Sequence, residues 1–219
     1  MVVKLKKKIR NLKIGLLGTR KSLLADVLDK RKILFCHIDR IASIDSSFDI
    51  IFASGIYSLI EDGYLKLPAY GIRGFHETSL PGGRGNSPIQ WTIENKRTNL
   101  TITAFKFVKG MDTGDYIYQY NISVSNSDTL VELEEKRKAG IQECFAAIID
   151  EMEHGCLVFR KQTGSVSISP KRTPSDSELD VNKTLIELWD KIRVCDNGKF
   201  PAFFRINNKK IILKYEVEN

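Results

Sequence analysis

Residues Gly74 to Trp91 read Gly-Phe-His-Glu-Thr-Ser-Leu-Pro-Gly-Gly-Arg-Gly-Asn-Ser-Pro-Ile-Gln-Trp. A predicted strand, Ile72–Phe75, leads into this stretch and delivers His76 to the loop that follows. Leu80-Pro81 and the glycines after it predict a turn, because glycine adopts backbone conformations closed to other residues and lets a ligand approach the main chain. Ser87-Pro88 predicts a helix start, with serine as the N-cap and proline at the first helical position. The free N–H groups of that helix would point back at the loop that carries His76.

Three apolar runs upstream predict the framework that holds this loop. Leu12–Leu17, Ile33–Ile38 and Phe48–Ala53 are short apolar runs, and the third is also β-branched, as buried parallel strands are. Ser22–Leu28 predicts a helix between the first two runs. We therefore expect an α/β fold with a Rossmann-like, mostly parallel twisted sheet, in which ligands gather at the carboxyl ends of the strands.

The next part of the chain adds two strands and a long helix. Leu100–Val108 and Tyr116–Val124 alternate between apolar and polar residues, which predicts two strands that pair with each other. Thr129–Glu153 has an apolar stripe at helical spacing, and Thr129 with Glu132 forms a capping-box pattern. We expect this helix to pack its stripe across the sheet.

A small second unit is predicted at the C-terminus. The segment Gln162–Pro174 is polar and rich in turn residues, and the domain boundary is placed within it. Residues 1–165 then form the catalytic domain, and residues 166–219 form a small α+β subdomain. That subdomain would contain a helix, Lys183–Val194, and a hairpin that turns at Asn207-Asn208.

The composition narrows the class of protein. The chain has 219 residues and a net charge of +7, and much of the excess lies in a basic leader, about residues 1–11. Such a leader suits a polyanionic partner, either a nucleic acid or a nucleotide diphosphate, or is simply a solvated and partly disordered segment. No run of about 18 apolar residues predicts a membrane span. The start has no signal-peptide pattern, and the four cysteines lack metal-ligand spacing, so we expect scattered buried thiols and a cytoplasmic location.

Gly110–Asp115 reads Gly-Met-Asp-Thr-Gly-Asp. Together with Gly74–Trp91, this segment resembles the formyltransferase family that uses N10-formyltetrahydrofolate as co-substrate. The family signature is Asn-x-His, a Leu-Pro turn, a basic residue before glycine and, further on, Asp-x-Gly. The resemblance implies that His76 and Asp112 are catalytic. It is closest to the sugar N-formyltransferases, through Arg172-Thr-Pro and the Pro-x-Ala-Phe strand that follows.

One position departs from the family pattern. The asparagine of the signature falls on Gly74, and in the family that amide helps to hold the formyl oxygen. A glycine offers only its backbone, so either the usual oxyanion arrangement or the activity itself is altered. Thr78, Asn86, a backbone N–H or a bound water are the candidates for a substitute donor.

The remaining site residues fall into two groups, and no metal site is expected. The resemblance places the pterin of the co-substrate against two loops; these residues are Tyr57, Ser58, Leu59, Ile60, Val108, Lys109, Gly110 and Met111. The helix start after the first strand, with its threonine and cations, suits a phosphate. The predicted substrate-binding residues form two sets. At this helix start they are Gly18, Thr19 and Arg20, and around His76 they are Gly74, Thr78, Arg84, Gly85 and Asn86.

Some titratable residues receive other interpretations. His37 and His154 are interpreted as structural, the second because a cation at a helix C-terminus complements the helix dipole. Asp115 is an alternative carboxylate to Asp112. Glu77 would point away from His76 in an extended segment.

The chemistry of formyl transfer sets the functional hypothesis. An amine attacks a formamide carbon, the developing oxyanion needs a hydrogen-bond donor, and a carboxylate can orient the imidazole that supplies it. The predicted function is transfer of a formyl group to a nucleotide-linked amino sugar. The alternatives are a methionyl-tRNA formyltransferase-like enzyme, a non-catalytic folate- or nucleotide-binding protein, and a hydrolase that releases formate. Neither a membrane nor a nucleic acid is the expected partner, and a homodimer is left open.

Overall fold

The computed structural model describes residues 1–218. The elements of the first half are β1 (Val2–Lys4), β2 (Ile14–Leu17), α1 (Lys21–Lys30), β3 (Phe35–Ile38), β4 (Ile50–Ala53), α2 (Asp62–Leu65), β5 (Ile72–His76), β6 (Arg84–Gly85) and α3 (Pro88–Glu94). Those of the second half are β7 (Asn99–Lys106), β8 (Tyr116–Ser123), α4 (Leu130–Glu153), β9 (Cys156–Val158), β10 (Ile168–Ser169), α5 (Leu185–Arg193), β11 (Ala202–Ile206) and β12 (Lys209–Leu213).

A six-stranded sheet with the order β3-β2-β4-β5-β7-β8 forms the centre of the fold. The first four strands in this order run parallel, and β7 and β8 join as antiparallel strands. Strands β2 and β4 are fully buried because both faces of the parallel part are covered, whereas the edge strand β3 exposes Cys36 and His37. The prediction of a mostly parallel α/β sheet is therefore confirmed.

The two faces of the sheet have different roles. Helix α4 covers one face, where Phe145 packs edge-on against Phe52 and Phe75 with ring centroids 4.7 and 6.0 Å away. The other face carries a second apolar cluster that includes Ile72, and Phe107 packs against it. Because side chains alternate along a strand, Gly74 and His76 share the face of Ile72. The carboxyl end of β5 thus places His76 at the edge of this second cluster.

Two local predictions are wrong, the N-cap at Ser87 and the burial of all four cysteines. The leader is ordered in part, because β1 pairs with β9 and Ile9 is buried in the core. Ser87 does not cap α3: it has a φ of 50°, and its hydroxyl accepts a hydrogen bond from the backbone N–H of Arg172 instead. Among the cysteines, Cys36 is exposed rather than buried.

The C-terminal part contains the predicted helix and hairpin. Asn207 and Asn208 both have positive φ, 47° and 63°, as a two-residue hairpin turn requires. Strands β11 and β12 pack on α5 through a separate apolar cluster. Before this unit, β10 pairs in parallel with β6, so the segment near residue 168 lies on the loop that follows His76. No helix within residues 1–218 is long and apolar enough to cross a membrane.

Candidate active site

His76 lies at the carboxyl end of β5 with both ring nitrogens facing oxygen atoms. Its Nε2 is 2.8 Å from the carbonyl oxygen of Gly83, and its Nδ1 is 3.6 Å from Oδ2 of Asp112. The histidine side chain is only 8% exposed. A carbonyl can only accept a hydrogen bond, so Nε2 donates to Gly83. Nδ1 faces a carboxylate at ion-pair distance, which is longer than a hydrogen bond.

Asp112 reaches His76 from the loop between β7 and β8. Its φ of 54° places it in the left-handed region, which aspartate tolerates better than most residues. Its Oδ2 also accepts a hydrogen bond of 2.9 Å from the backbone N–H of Gly85. Asp115, the alternative carboxylate, faces Lys161 at 3.6 Å instead. Of the two candidate carboxylates, the one that matches the Asp-x-Gly motif, Asp112, is therefore the one that lies beside His76.

Gln162 holds this assembly together, and no motif in the sequence indicates this role. Its side-chain amide donates to the carbonyl oxygens of Asp112 and Gly114, at 2.8 and 2.7 Å. Its oxygen accepts a 2.6 Å hydrogen bond from the guanidinium of Arg84. Gln162 thus connects the loop of Asp112 to the loop that follows His76.

The space beside Gly74 is filled by Phe107. A Cβ atom on Gly74 would lie 2.4 Å from Cε2 of Phe107 and 2.7 Å from Cζ. The residue that replaces the family asparagine is therefore matched to an aromatic ring that occupies the side-chain volume. Strand alternation puts Phe105 and Phe107 on one face of β7 and its extension, which is the signal from which this contact could have been anticipated.

Glu77 points to the opposite face from His76, as predicted. It is buried, and its Oε1 lies 3.6 Å from Nη1 of Arg20 and 3.8 Å from Nε of Arg137. Arg137 also pairs with Glu134. The guanidinium of Arg20 lies 5.7 Å from the ring centroid of Tyr57. Arg20 therefore links the first βα loop, the Tyr57 loop and the residue that follows His76.

The residues predicted to bind the co-substrate lie on two loops. Tyr57 and Leu59 are 76% and 75% exposed, whereas Ile60 belongs to the buried cluster on the His76 face. Val108 and Gly110 form an isolated bridge, and Met111 is 41% exposed. The remaining positions, Ser58 and Lys109, are exposed. Exposed apolar side chains on both loops leave surface that a flat heterocycle can cover.

The predicted substrate residues fall into two places. Gly18, Thr19 and Arg20 cross the end of β4, where the backbone N–H groups of Thr19 and Arg20 donate to Gly55 and Ser54. The others cluster around the turn after His76. There the carbonyl oxygen of Thr78 accepts a 2.6 Å hydrogen bond from Thr103, and Asn86 is exposed with its backbone N–H on Ser169. Arg84 and Gly85 join Gln162 and Asp112, as described above.

A cavity of about 450 Å³ adjoins the same turn. Its walls are α3, the start of β7, the turn at Thr78–Gly83 and the segment Ser167–Ser169. We call it the Trp91 cavity. Of the predicted site residues, only Thr78 lines it, and neither His76 nor Asp112 does. No pattern in the sequence predicts this cavity.

This geometry supplies the parts of a group-transfer centre. A buried imidazole at a strand end can donate a proton or a hydrogen bond, and the neighbouring carboxylate orients it and stabilises positive charge on it. No group of three or more His, Cys, Asp or Glu residues suited to a metal ion occurs in residues 1–218. What His76 and Asp112 present is acid–base and hydrogen-bonding chemistry.

Comparisons with known proteins find formyltransferases among the relatives of this chain. A family model described as formyl transferase matches residues 42–149, which contain both His76 and Asp112. A methionyl-tRNA formyltransferase from Thermodesulfovibrio yellowstonii is 27% identical over 184 residues. That match covers 82% of this chain but only 58% of the relative, so the chain spans little more than half of that protein.

Solved structures share the fold. A 4-N formyltransferase from Francisella tularensis superposes with a TM-score of 0.80 at 17% identity, over 95% of this chain and 98% of that one. The formyltransferase PseJ from Anoxybacillus kamchatkensis, solved with a UDP-linked formamido sugar and tetrahydrofolate, gives a TM-score of 0.62 at 22% identity. It covers 72% of this chain and 85% of that one. Likeness at these identities shows the fold alone.

Proposed function

The chain belongs to the formyl transferase family, and on this premise we propose that it moves a formyl group from N10-formyltetrahydrofolate to the amino group of a nucleotide-linked amino sugar. The observation that carries the proposal is the approach of His76 Nδ1, at the end of β5, to Asp112 Oδ2, in the loop between β7 and β8, at 3.6 Å. These are the two residues to which the sequence motifs assign the chemistry. A cytoplasmic location stays a prediction.

In this proposal the amine of the acceptor attacks the formyl carbon, and the C–N bond to the folate nitrogen breaks. His76 donates through Nε2 to the developing oxyanion, which competes with the Gly83 carbonyl for that proton. Asp112 keeps the ring in place and balances its charge. The proton lost by the attacking amine is matched by the one gained at the folate nitrogen.

The co-substrate fits the exposed residues on the two predicted loops. Tyr57, Leu59 and Met111 offer apolar surface, and glycine at position 110 leaves its backbone open to a heterocycle. The chemistry that the folate supplies is an activated one-carbon unit. The solved PseJ complex with tetrahydrofolate supports this choice of co-substrate, and its UDP-linked sugar supports the choice of acceptor.

The test is incubation with N10-formyltetrahydrofolate and a panel of nucleotide-linked amino sugars. Tetrahydrofolate release is followed by absorbance, and the formamido product is identified by mass spectrometry. We expect one or a few acceptors to be formylated and His76→Ala to abolish the product. Folate turnover that no amino sugar stimulates and that His76→Ala leaves unchanged would refute the proposal.

A second candidate is transfer to methionyl-tRNA, which the 27% identical relative favours. The discriminating measurements are a gel shift with initiator tRNA and formylation of its methionyl ester. A third candidate is a binding protein without catalysis, which the Gly74–Phe107 contact favours. Calorimetry that shows tight folate binding, with no turnover on either acceptor class, would select it.

A further inference from the structure

The Trp91 cavity has a lining that suits a hydrogen-bonding ligand. Asn95, Asn99 and Ser79 line it, and none of their side chains has a hydrogen-bond partner within residues 1–218. Arg97 also lines it and forms no ion pair with any described carboxylate. These side chains are exposed, so a ligand in the cavity would exchange their bonds to water for bonds to its own polar groups. The volume of about 450 Å³ lies within the range of small-molecule sites.

The aromatic wall of the cavity is held in a fixed position. Trp91 donates its indole N–H to the carbonyl oxygen of Pro170 at 2.8 Å. Arg172 lies over the ring at 5.2 Å from its centroid, and this guanidinium is itself paired with Glu94. The indole is therefore anchored by its polar edge and stacked by a cation, and it contributes a rigid apolar surface to the cavity.

This combination favours a saccharide ring over other small ligands. The C–H face of a pyranose packs on an indole, and its hydroxyl groups pair with amides and serine or threonine hydroxyls. No carboxylate lines the cavity, which disfavours a free cation. Arg97 is the one charged lining residue and suits a phosphate attached to the sugar.

The cavity is also close to the reacting groups through shared backbone. Gly83 lines the cavity, and its carbonyl oxygen accepts the hydrogen bond from His76. Thr78 lines the cavity two residues after His76 in the chain. A ligand in the cavity therefore contacts the same turn that carries the reactive imidazole.

We propose that the Trp91 cavity binds the hydroxylated sugar ring of the acceptor, with Asn95 and Asn99 as its hydrogen-bonding residues. This inference rests on the proposed function for the identity of the acceptor, and it assigns recognition to a surface outside His76 and Asp112. The two asparagines are specificity residues: they act on acceptor binding and leave the formyl-transfer groups in place.

The test measures binding without folate. The chain has two tryptophans, so Trp189→Phe leaves Trp91 as the single indole reporter. We expect a saturable change in its emission with a nucleotide-linked amino sugar. Loss of two neutral hydrogen bonds in Asn95→Ala/Asn99→Ala should weaken that binding by about ten- to a hundredfold. Asn11→Ala, an exposed asparagine in the leader, is the matched control and should change nothing.

Trp189 donates to the carbonyl oxygen of Asn126, so its removal is checked by circular dichroism. Calorimetry on the protein that keeps both tryptophans repeats the comparison. The inference is overturned if the nucleotide diphosphate alone reproduces the full emission change, or if the double asparagine variant binds the sugar nucleotide as tightly as the parent.

The two proposals fail in different ways. If Asn95→Ala/Asn99→Ala still transfers the formyl group with an unchanged KM for the acceptor, the cavity inference is refuted and the proposed function is not. If binding of the sugar nucleotide depends on the two asparagines but the protein formylates nothing, the proposed function is refuted and the cavity inference is not.

Discussion

Phe107 occupies the volume into which any side chain at Gly74 would project, with Cε2 2.4 Å from the position of a Cβ atom. Two contacts hold Phe107 in this position. The backbone N–H of Phe107 donates to Ile72 at 3.0 Å, and its ring centroid lies 5.2 Å from that of Phe105. The glycine and the phenylalanine are therefore a matched pair, and the lack of a side-chain amide beside His76 is built into the packing of this face.

We expect Gly74→Asn alone to be destabilising, because the new side chain overlaps the ring. Overpacking of this kind costs about 1–3 kcal/mol. In the Phe107→Ala background the same change should cost much less, since the volume is then open. A double-mutant cycle by urea unfolding measures this coupling. If the amide assists transfer, the double variant should also formylate faster than Phe107→Ala.

Gly63 provides the control, because a Cβ atom there meets nothing within 4 Å. Gly63→Asn should leave stability nearly unchanged or raise it slightly, because asparagine has a higher helix propensity than glycine. If Gly74→Asn proves no more destabilising than Gly63→Asn, the ring does not fill the site as described.

Asp112→Asn should lower kcat while it changes the KM of the acceptor little. Asparagine keeps an oxygen for the backbone N–H of Gly85, so the turn stays closed. The charge that faces His76 is lost, however, and acid–base groups of this kind contribute about a hundredfold or more to a rate. Steady-state kinetics with the identified acceptor, over a range of pH, is the measurement.

Asp115→Asn is the matched control in the same loop. This carboxylate faces the exposed Lys161, and its removal should leave kcat within about twofold because surface ion pairs contribute little. Equal losses in both variants would mean that Asp112 acts on the loop rather than on His76.

The sequence predicted the central fold because local pattern and long-range packing agree there. Buried parallel strands are continuous apolar runs, so Ile14–Leu17 and Ile50–Ala53 carry their own signal. The meeting of His76 with Asp112 followed from motifs at two strand ends. The error at Ser87 has the opposite origin: a contact with Arg172, 85 residues away, sets its conformation, and no local pattern records such a contact.

Gln162 and the Trp91 cavity could not be predicted, because neither has a local pattern in the sequence. Gln162 lies in a polar stretch with no periodicity, and its role arises from two carbonyl groups on a different loop. The cavity is formed by three neighbouring segments between Thr78 and Thr101 and by Ser167–Ser169, which lies far along the chain from them. Each contributes small or polar residues that are unremarkable alone, so only their placement in space defines a site.

Gln162→Ala should slow transfer as well as reduce stability. The carbonyl oxygens of Asp112 and Gly114 lose their donor, and Arg84 loses its acceptor. Each lost hydrogen bond costs about 1 kcal/mol. Because Asp112 is held in a left-handed conformation, the freed loop should let its carboxylate move from His76. Urea unfolding and kcat measurements on the same variant test both effects.

Gln142→Ala separates the two effects. That side chain also makes two hydrogen bonds, to Leu23 and Asp26 at 3.3 Å, but on the helical side of the sheet. It should lower stability by a similar or smaller amount and leave kcat unchanged. A Gln162→Ala variant with full kcat would contradict the positioning role.

The capping box of α4 should make stability depend on acid pH. Both the backbone N–H and the hydroxyl of Thr129 donate to Oε2 of Glu132 at 2.8 Å, which lowers the pKa of Glu132 below its ordinary value of 4.5. A carboxyl whose folded pKa is depressed contributes stability above its unfolded pKa and loses it as pH falls through the folded pKa. Glu132→Gln should therefore be less stable than the parent near neutral pH, and the difference should vanish in strong acid. Unfolding curves at about pH 7 and about pH 3 measure the difference in unfolding free energy between Glu132→Gln and the parent, with the exposed Glu143→Gln on the same helix as control. A difference that persists unchanged in acid would show that the cap acts through packing rather than through the charge on Glu132.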